Sequence, residues 1–200
     1  MFFGNLKSKL TKIAVALAVS ASAVSASAMD FRIEKLQKIN MNIVVASGEI
    51  VEGDAERFME IAPRADRDIN GLVVLLLDSV GGLAKEAFLM AGAMDKVGVY
   101  TMIPPGGKCA SVCATILYLS GTRRQIIGNG ELGFHGCYLI NTQTGATQPY
   151  PLCNKLIAKY AESRGVSGES INLFSHYKPD EMRWLGKETV CTMMPGMCKP

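Results

Sequence analysis

Several absences narrow the reading of this chain. It has no internal repeat, no Cys-x-x-Cys pair and only two histidines, His135 and His176. A zinc site needs thiols or imidazoles at short, paired spacing, so neither a metal nor another cofactor is expected. Beyond the first 28 residues no apolar stretch approaches the about 20 residues that cross a bilayer; the run at 72–77 has a strand's length. The first 28 residues hold no acidic side chain but three lysines, Lys7, Lys9 and Lys12. Those three account for the whole formal charge of +3: removing them from 21 basic residues leaves 18, against 18 acidic ones. The body therefore lacks the basic excess by which nucleic acid or an anionic membrane is held. With 48% hydrophobic and 20% charged residues, composition also excludes a disordered, collagen-like or coiled-coil chain.

What is present begins with a leader. After the lysines comes the apolar run Ile13-Ala14-Val15-Ala16-Leu17-Ala18-Val19, then small residues ending in Ala26-Ser27-Ala28. This is the three-part pattern of a secretory signal peptide, with cleavage expected after Ala28. Residues 29–200 are then one exported domain. Six cysteines, Cys109, Cys113, Cys137, Cys153, Cys191 and Cys198, read as disulfides in an oxidising compartment. Sequence does not choose among the connectivities. Cys191 and Cys198 could close a small loop in the 187–200 tail, and Cys137 with Cys153 could pin the polar stretch between them.

The periodicities alternate. Residues 42–47 (NIVVAS) read as a strand. Asp54 opens a helix with Ala55, Phe58, Met59 and Ala62 on one face, ended by Pro63. Residues 71–77 form a continuous apolar run, the mark of a strand buried on both faces, and residues 78–82 turn the chain. Residues 83–97 make an amphipathic helix with Ala87, Met90, Ala91 and Met94 inward. A strand at 99–103, a Pro-Gly loop at 104–107, a buried helix at 110–119 and a short strand at 131–134 follow. Residues 141–151 read as a loop, and about 152–164 as a helix. Alternation of this kind predicts an α/β domain with a largely parallel sheet and helices packed on it. Ligands of such sheets bind beyond the carboxyl ends of the strands, where Gly81, Gly82, Ser111 and His135 fall.

Those residues suit nucleophilic chemistry. Ser111 stands at a predicted helix start, where free amides favour a developing anion. The Val112 N–H would face an oxyanion. Gly81 and Gly82, without side chains, let backbone amides approach it. His135 is the natural base for a serine hydroxyl. The competing reading of each part alone is a cap, a turn and a structural histidine.

The runs LLLDSVGGLAKEAFLMAGAM and CASVCATILYLSGTRRQIIGNGELGFHG resemble the Clp protease proteolytic subunit family, within the wider ClpP/crotonase fold. The matches are Ser79-Val80-Gly81-Gly82, Ala110-Ser111-Val112 and Gly133-Phe134-His135, and NIVVASGEIVEGDAERF is similar to the family's opening strand and helix. The resemblance covers about residues 42–136. It implies Ser111 as nucleophile, His135 as general base, Gly81 and the Val112 N–H as oxyanion hole, and a peptide substrate bound as an added strand. With the leader, the chain resembles exported ClpP-like proteins of Gram-negative bacteria, placed in the periplasm or secreted.

The chain departs from the family's pattern in four ways. Val80 replaces a proline. The register of Trp184-Leu185-Gly186 puts Met182 where the family has its acid, with Asp180 and Glu181 adjacent; Asp180 is the expected third member. Cys109 and Cys113 flank the serine, and read as a disulfide or as buried thiols. Residues 136–165, a variable loop and helix, replace the family's long handle. A double ring and an ATP-driven unfoldase partner are not expected, whereas a smaller homo-oligomer is compatible with the eleven methionines. The expectation is an exported, ATP-independent serine peptidase; the alternative is a catalytically silent binding or assembly module of the same fold. An acyl-CoA enzyme ranks below both, since such sites rarely carry a Ser–His pair.

Overall fold

The computed structural model describes residues 28–141 and 143–200; the leader reading lies outside these, apart from Ala28. Strand β1 (Asp30–Leu36) pairs antiparallel with β2 (Met41–Ile50), and β2 pairs in parallel with β3 (Val73–Gly82). Between β2 and β3 runs helix α1 (Asp54–Ile61). Helix α2 (Ala84–Val97) leads to β4 (Val99–Ile103), and β5 (Lys108–Ala110) follows after the Pro-Gly loop.

β3 is the branch point of the sheet. Its first half, Val73 to Leu76, pairs with β4; its far end, at Ser79, pairs with β5. One branch continues from β4 to β6 (Arg123–Ile126), the other from β5 to β7 (Glu131–Phe134), all in parallel. An antiparallel β10 (Arg183–Gly186) completes the second branch. The predicted α/β class with a largely parallel sheet is what forms.

The apolar run in β3 is divided between the two faces, as period-two geometry requires. Val73, Leu75 and Leu77 enter the main core with Phe58, Met90 and Met94; Val74 joins a smaller cluster with Ile43, Val45 and Tyr100 on the other face. α2 buries Ala87, Met90, Ala91 and Met94, as its spacing predicts. In α1 the buried face is Asp54, Phe58 and Ile61, while Met59 is exposed. Residues 78–82, expected as a turn, instead extend β3. Gly81 and Gly82 adopt φ of 93° and 146°, and an irregularity between Ser47 and Glu49 lets them stay paired with β2. Such φ values are costly for residues with a Cβ.

The segment in place of a handle holds a hairpin, β8 (Tyr138–Ile140) with β9 (Thr147–Pro149), where a loop was expected. Helix α4 (Pro151–Ser163) follows, then the short α5 (Gly168–Asn172). All six cysteines pair: Cys109–Cys113, Cys137–Cys153 and Cys191–Cys198. Cys191 lies on α6 (Lys187–Met193). Among the described residues no helix is long and apolar enough to cross a membrane, and no cluster of potential metal ligands occurs.

Candidate active site

Ser111 occupies the corner between β5 and a helix that begins as a π-helical segment, Cys113–Leu117, and ends as α3 (Tyr118–Ser120). It is therefore not a simple helix cap. Its φ of 57° is left-handed, shared among non-glycine residues only by Asn40 within the described chain. That conformation costs on the order of 1–3 kcal/mol and persists only where surroundings impose it. Here the Ser111 N–H donates to the Gly133 carbonyl (2.8 Å), and the Ser111 carbonyl accepts from both the N–H and the hydroxyl of Thr115 (3.0 Å each).

Gly81 lies directly against this corner. A Cβ at Gly81 would sit 2.8 Å from the Ser111 Cβ, 3.4 Å from its Oγ and 2.7 Å from the Ala110 carbonyl oxygen. The Gly81 N–H donates to the buried Ser79 hydroxyl at 3.1 Å. Gly82 is constrained elsewhere, since a Cβ there would meet the Ile50 carbonyl oxygen at 2.2 Å. Val112 is buried, and its N–H precedes the intrahelical bond made by Thr115, among the donors that a helix start leaves without internal partners.

His135 follows the end of β7. The parallel register pairs Ala110 with Gly133, so Ser111 and His135 leave neighbouring strands at the same end of the sheet. Thr115 and His135 line one small cavity together with Asn154 and Phe174. The hydroxyl and the imidazole are not hydrogen-bonded to each other. The ring's Nδ1–H instead donates to the Gly136 carbonyl at 2.6 Å. A carbonyl only accepts, so this bond places the proton of the neutral ring on Nδ1 and the lone pair on Nε2. Gly136 is itself fixed: its N–H donates to the Tyr177 carbonyl (2.9 Å), and a Cβ would fall 2.1 Å from the Ser175 carbonyl oxygen. Sequence reasoning did not find this carbonyl. The only hint was the glycine directly after the histidine.

Asp180, expected as third member, lies on an exposed turn, Pro179–Glu181. Arg183 pairs with Phe134 at the end of the β10–β7 ladder, and the Met182 sulfur lies 3.0 Å from where a Cβ on Gly133 would stand.

Burial lowers the His135 pKa from its ordinary 6.5, opposed in part by the Gly136 hydrogen bond. Two consequences have definite signs. The unprotonated ring persists below the ordinary imidazole range; were His135 a general base, the acid limb of kcat/KM would fall below pH 6.5, and a limb above that would contradict the role. The native state also binds fewer protons than the unfolded chain in that window, so this group's contribution to stability falls as pH drops through it.

Comparison with solved structures places the fold. The chain superposes on the ClpP protease catalytic domain from Plasmodium falciparum with a TM-score of 0.55 and 18% identity, over 75% of this chain and 78% of that one. It also superposes on the membrane-bound stomatin-specific protease 1510-N, solved as a lysine-to-alanine mutant in complex with a substrate peptide. The TM-score there is 0.52 at 20% identity, over 70% of this chain and 64% of that one. The fold is ClpP-like, as the sequence resemblance implies. No protein-family model matches the sequence, and no curated protein does.

Proposed function

We propose that this protein is an exported serine hydrolase of the peptidase class that acts without ATP. The observation that carries this reading is the left-handed Ser111 at a strand-to-helix corner, its Oγ facing the bare backbone of Gly81. In this reading Ser111 Oγ attacks the scissile carbonyl. Nε2 of His135 takes the hydroxyl proton and returns it to the leaving amine. The amides of Gly81 and Val112 hold the oxyanion, the Gly81 N–H leaving the Ser79 hydroxyl to do so. The Gly136 carbonyl, in place of a carboxylate, orients the ring. It stabilises the imidazolium less than a charged acid does, so turnover is modest. The three disulfides support an oxidising, extracytoplasmic location, and peptides or unfolded polypeptides are the substrate class. Exposed Leu139, Ile140, Leu152 and Leu156 on the hairpin and α4 support self-association.

A fluorophosphonate probe on the mature, oxidised protein tests the hydrolase reading. Labelling is expected in the wild type and absent in Ser111→Ala. With the disulfides intact, an unlabelled wild type would instead favour a silent peptide-binding module, a reading supported by the occupied Gly81 N–H. Because Asp180 is exposed and the Gly136 carbonyl accepts the hydrogen bond from Nδ1–H, Asp180→Asn is expected to leave the labelling rate within about threefold, whereas removal of a true triad acid costs orders of magnitude.

A further inference from the structure

Among features outside the proposed chemistry, the Cys109–Cys113 disulfide stands out by its position. It joins the residue two before Ser111 to the residue two after it, with 5.3 Å between the Cα atoms, and both cysteines are fully buried. Cys109 is held in β5, paired to Ser79 on one side and Leu132 on the other. Cys113 opens the helix. The bridge therefore closes a five-residue ring around the one serine that is left-handed among the described residues, tying the strand end to the helix start. The Cys137–Cys153 and Cys191–Cys198 bridges enclose no residue proposed to act in catalysis.

We infer that this disulfide is the positioning element of the nucleophile, so that the site is competent only while the Cys109–Cys113 bond is oxidised. The inference rests on Ser111 being the nucleophile. Val112 already has right-handed φ and ψ of −67° and −18°. Once the ring is open, the Ser111 N–H bond to Gly133 alone opposes its joining that helix, since the carbonyl's bond to the Thr115 N–H is already helical in pattern. The left-handed corner would disappear, and the hydroxyl would turn from Gly81 and His135. The opening reaction is ordinary thiol–disulfide exchange. A dithiol reductant supplies two electrons and two protons. The S–S bond breaks, Cys109 and Cys113 become thiols, and the reductant becomes a disulfide. The freed thiols lie in the apolar core, where a thiol is inert. Protein retained in a reducing compartment would be idle, and it would gain activity on reaching an oxidising one.

The test compares the oxidised wild type with the Cys109→Ala/Cys113→Ala and Cys191→Ala/Cys198→Ala double variants. Readouts are the fluorophosphonate labelling rate, far-ultraviolet circular dichroism and the thermal transition. Misplacing a catalytic group by about 1 Å costs about a hundredfold. A loss of that order is expected in the 109/113 variant with its fold retained, and less than threefold in the 191/198 variant. Labelling of the folded 109/113 variant within threefold of wild type would overturn the inference. Should that variant not fold, the wild type is reduced stepwise with dithiothreitol. The fraction of Cys109 and Cys113 reduced, read by mass spectrometry on samples quenched, denatured and alkylated, is then expected to track lost labelling in molecules that circular dichroism shows folded, and reoxidation of unquenched protein to restore it; labelling that survives full reduction of the pair overturns it. Backbone chemical shifts of Ser111 separate this failure from failure of the hydrolase reading. Oxidised protein that never labels defeats the hydrolase. A left-handed Ser111 signature that persists after reduction defeats the positioning role, whether or not the protein labels.

Discussion

Gly81→Ala is expected to lower the Ser111 labelling rate by at least about a hundredfold, the scale set by a misplaced catalytic group or a lost oxyanion donor. The added methyl would stand 2.7 Å from the Ala110 carbonyl oxygen and 2.8 Å from the Ser111 Cβ. Neither neighbour can yield cheaply, because Ala110 is paired in β5 and Ser111 is held by Gly133 and Thr115. The corner must move, and the hydroxyl with it. Left-handed φ adds a stability cost of about 1–2 kcal/mol, which calls for a control. Gly71 has φ of 77° and nothing within 4 Å of its Cβ position. Gly71→Ala therefore carries the backbone strain without the collision, and it should label at the wild-type rate. Equal labelling of the Gly81 and Gly71 variants at a temperature where both are folded would separate Gly81 from the reaction.

The largest effect on stability is expected at Arg124. This β6 residue is 2% exposed, and no carboxylate pairs with it among the described residues. Its guanidinium donates to the Leu119 carbonyl (2.9 Å) and the Arg164 carbonyl (3.0 Å), so one cation gathers the ends of α3 and α4. Favourable electrostatics at helix carboxyl ends contribute to this choice. Arg124→Ala leaves one buried and one half-buried carbonyl without this donor and opens a cavity. Hydrogen bonds from charged donors contribute about 1.5–3 kcal/mol each, and relief from burying the cation offsets part of their loss. The net expectation is about 3 kcal/mol, or about 6–12 °C in Tm for a domain of this size. Arg124→Lys should fall between, because an ammonium cannot span both carbonyls as a planar fork does. A urea or thermal transition within about 1 kcal/mol of wild type would show that the two helix ends are held by packing alone.

Long-period features were legible in the sequence. The apolar run of β3 and the spacing of Ala87, Met90, Ala91 and Met94 placed the sheet and α2 correctly, since burial of one face is written directly into hydrophobic pattern. Short elements were not. β5 is the three residues Lys-Cys-Ala, too few to show a period, and β10 shows Arg-Trp-Leu-Gly; both exist because neighbouring strands complete their ladders. Gly81 and Gly82 looked like a break because glycine marks turns, yet here they keep β3 running against β2. The nucleophile and base candidates were visible as residue types at strand ends. The carbonyl of Gly136 was not, because main-chain groups carry no residue-specific signal. Asp180 was chosen for its charge near the expected position, and it stands on an exposed turn. The cysteines paired with near neighbours in each case, which spacing permitted but did not select.

The outer margins of the sheet carry a consequence for behaviour at high concentration. β1 presents Asp30, Arg32, Glu34 and Lys35 to solvent, with Arg32 ion-paired to Asp30 and Glu34. On the opposite margin, backbone bonds between Arg124 and Lys199 cap part of β6. Charged side chains and covered backbone are what deter stray strands from docking onto a ladder. Accretion of one molecule onto the next through these rims is disfavoured, so precipitation on concentrating should respond to changes on the hairpin and α4 surface far more than to changes along either rim.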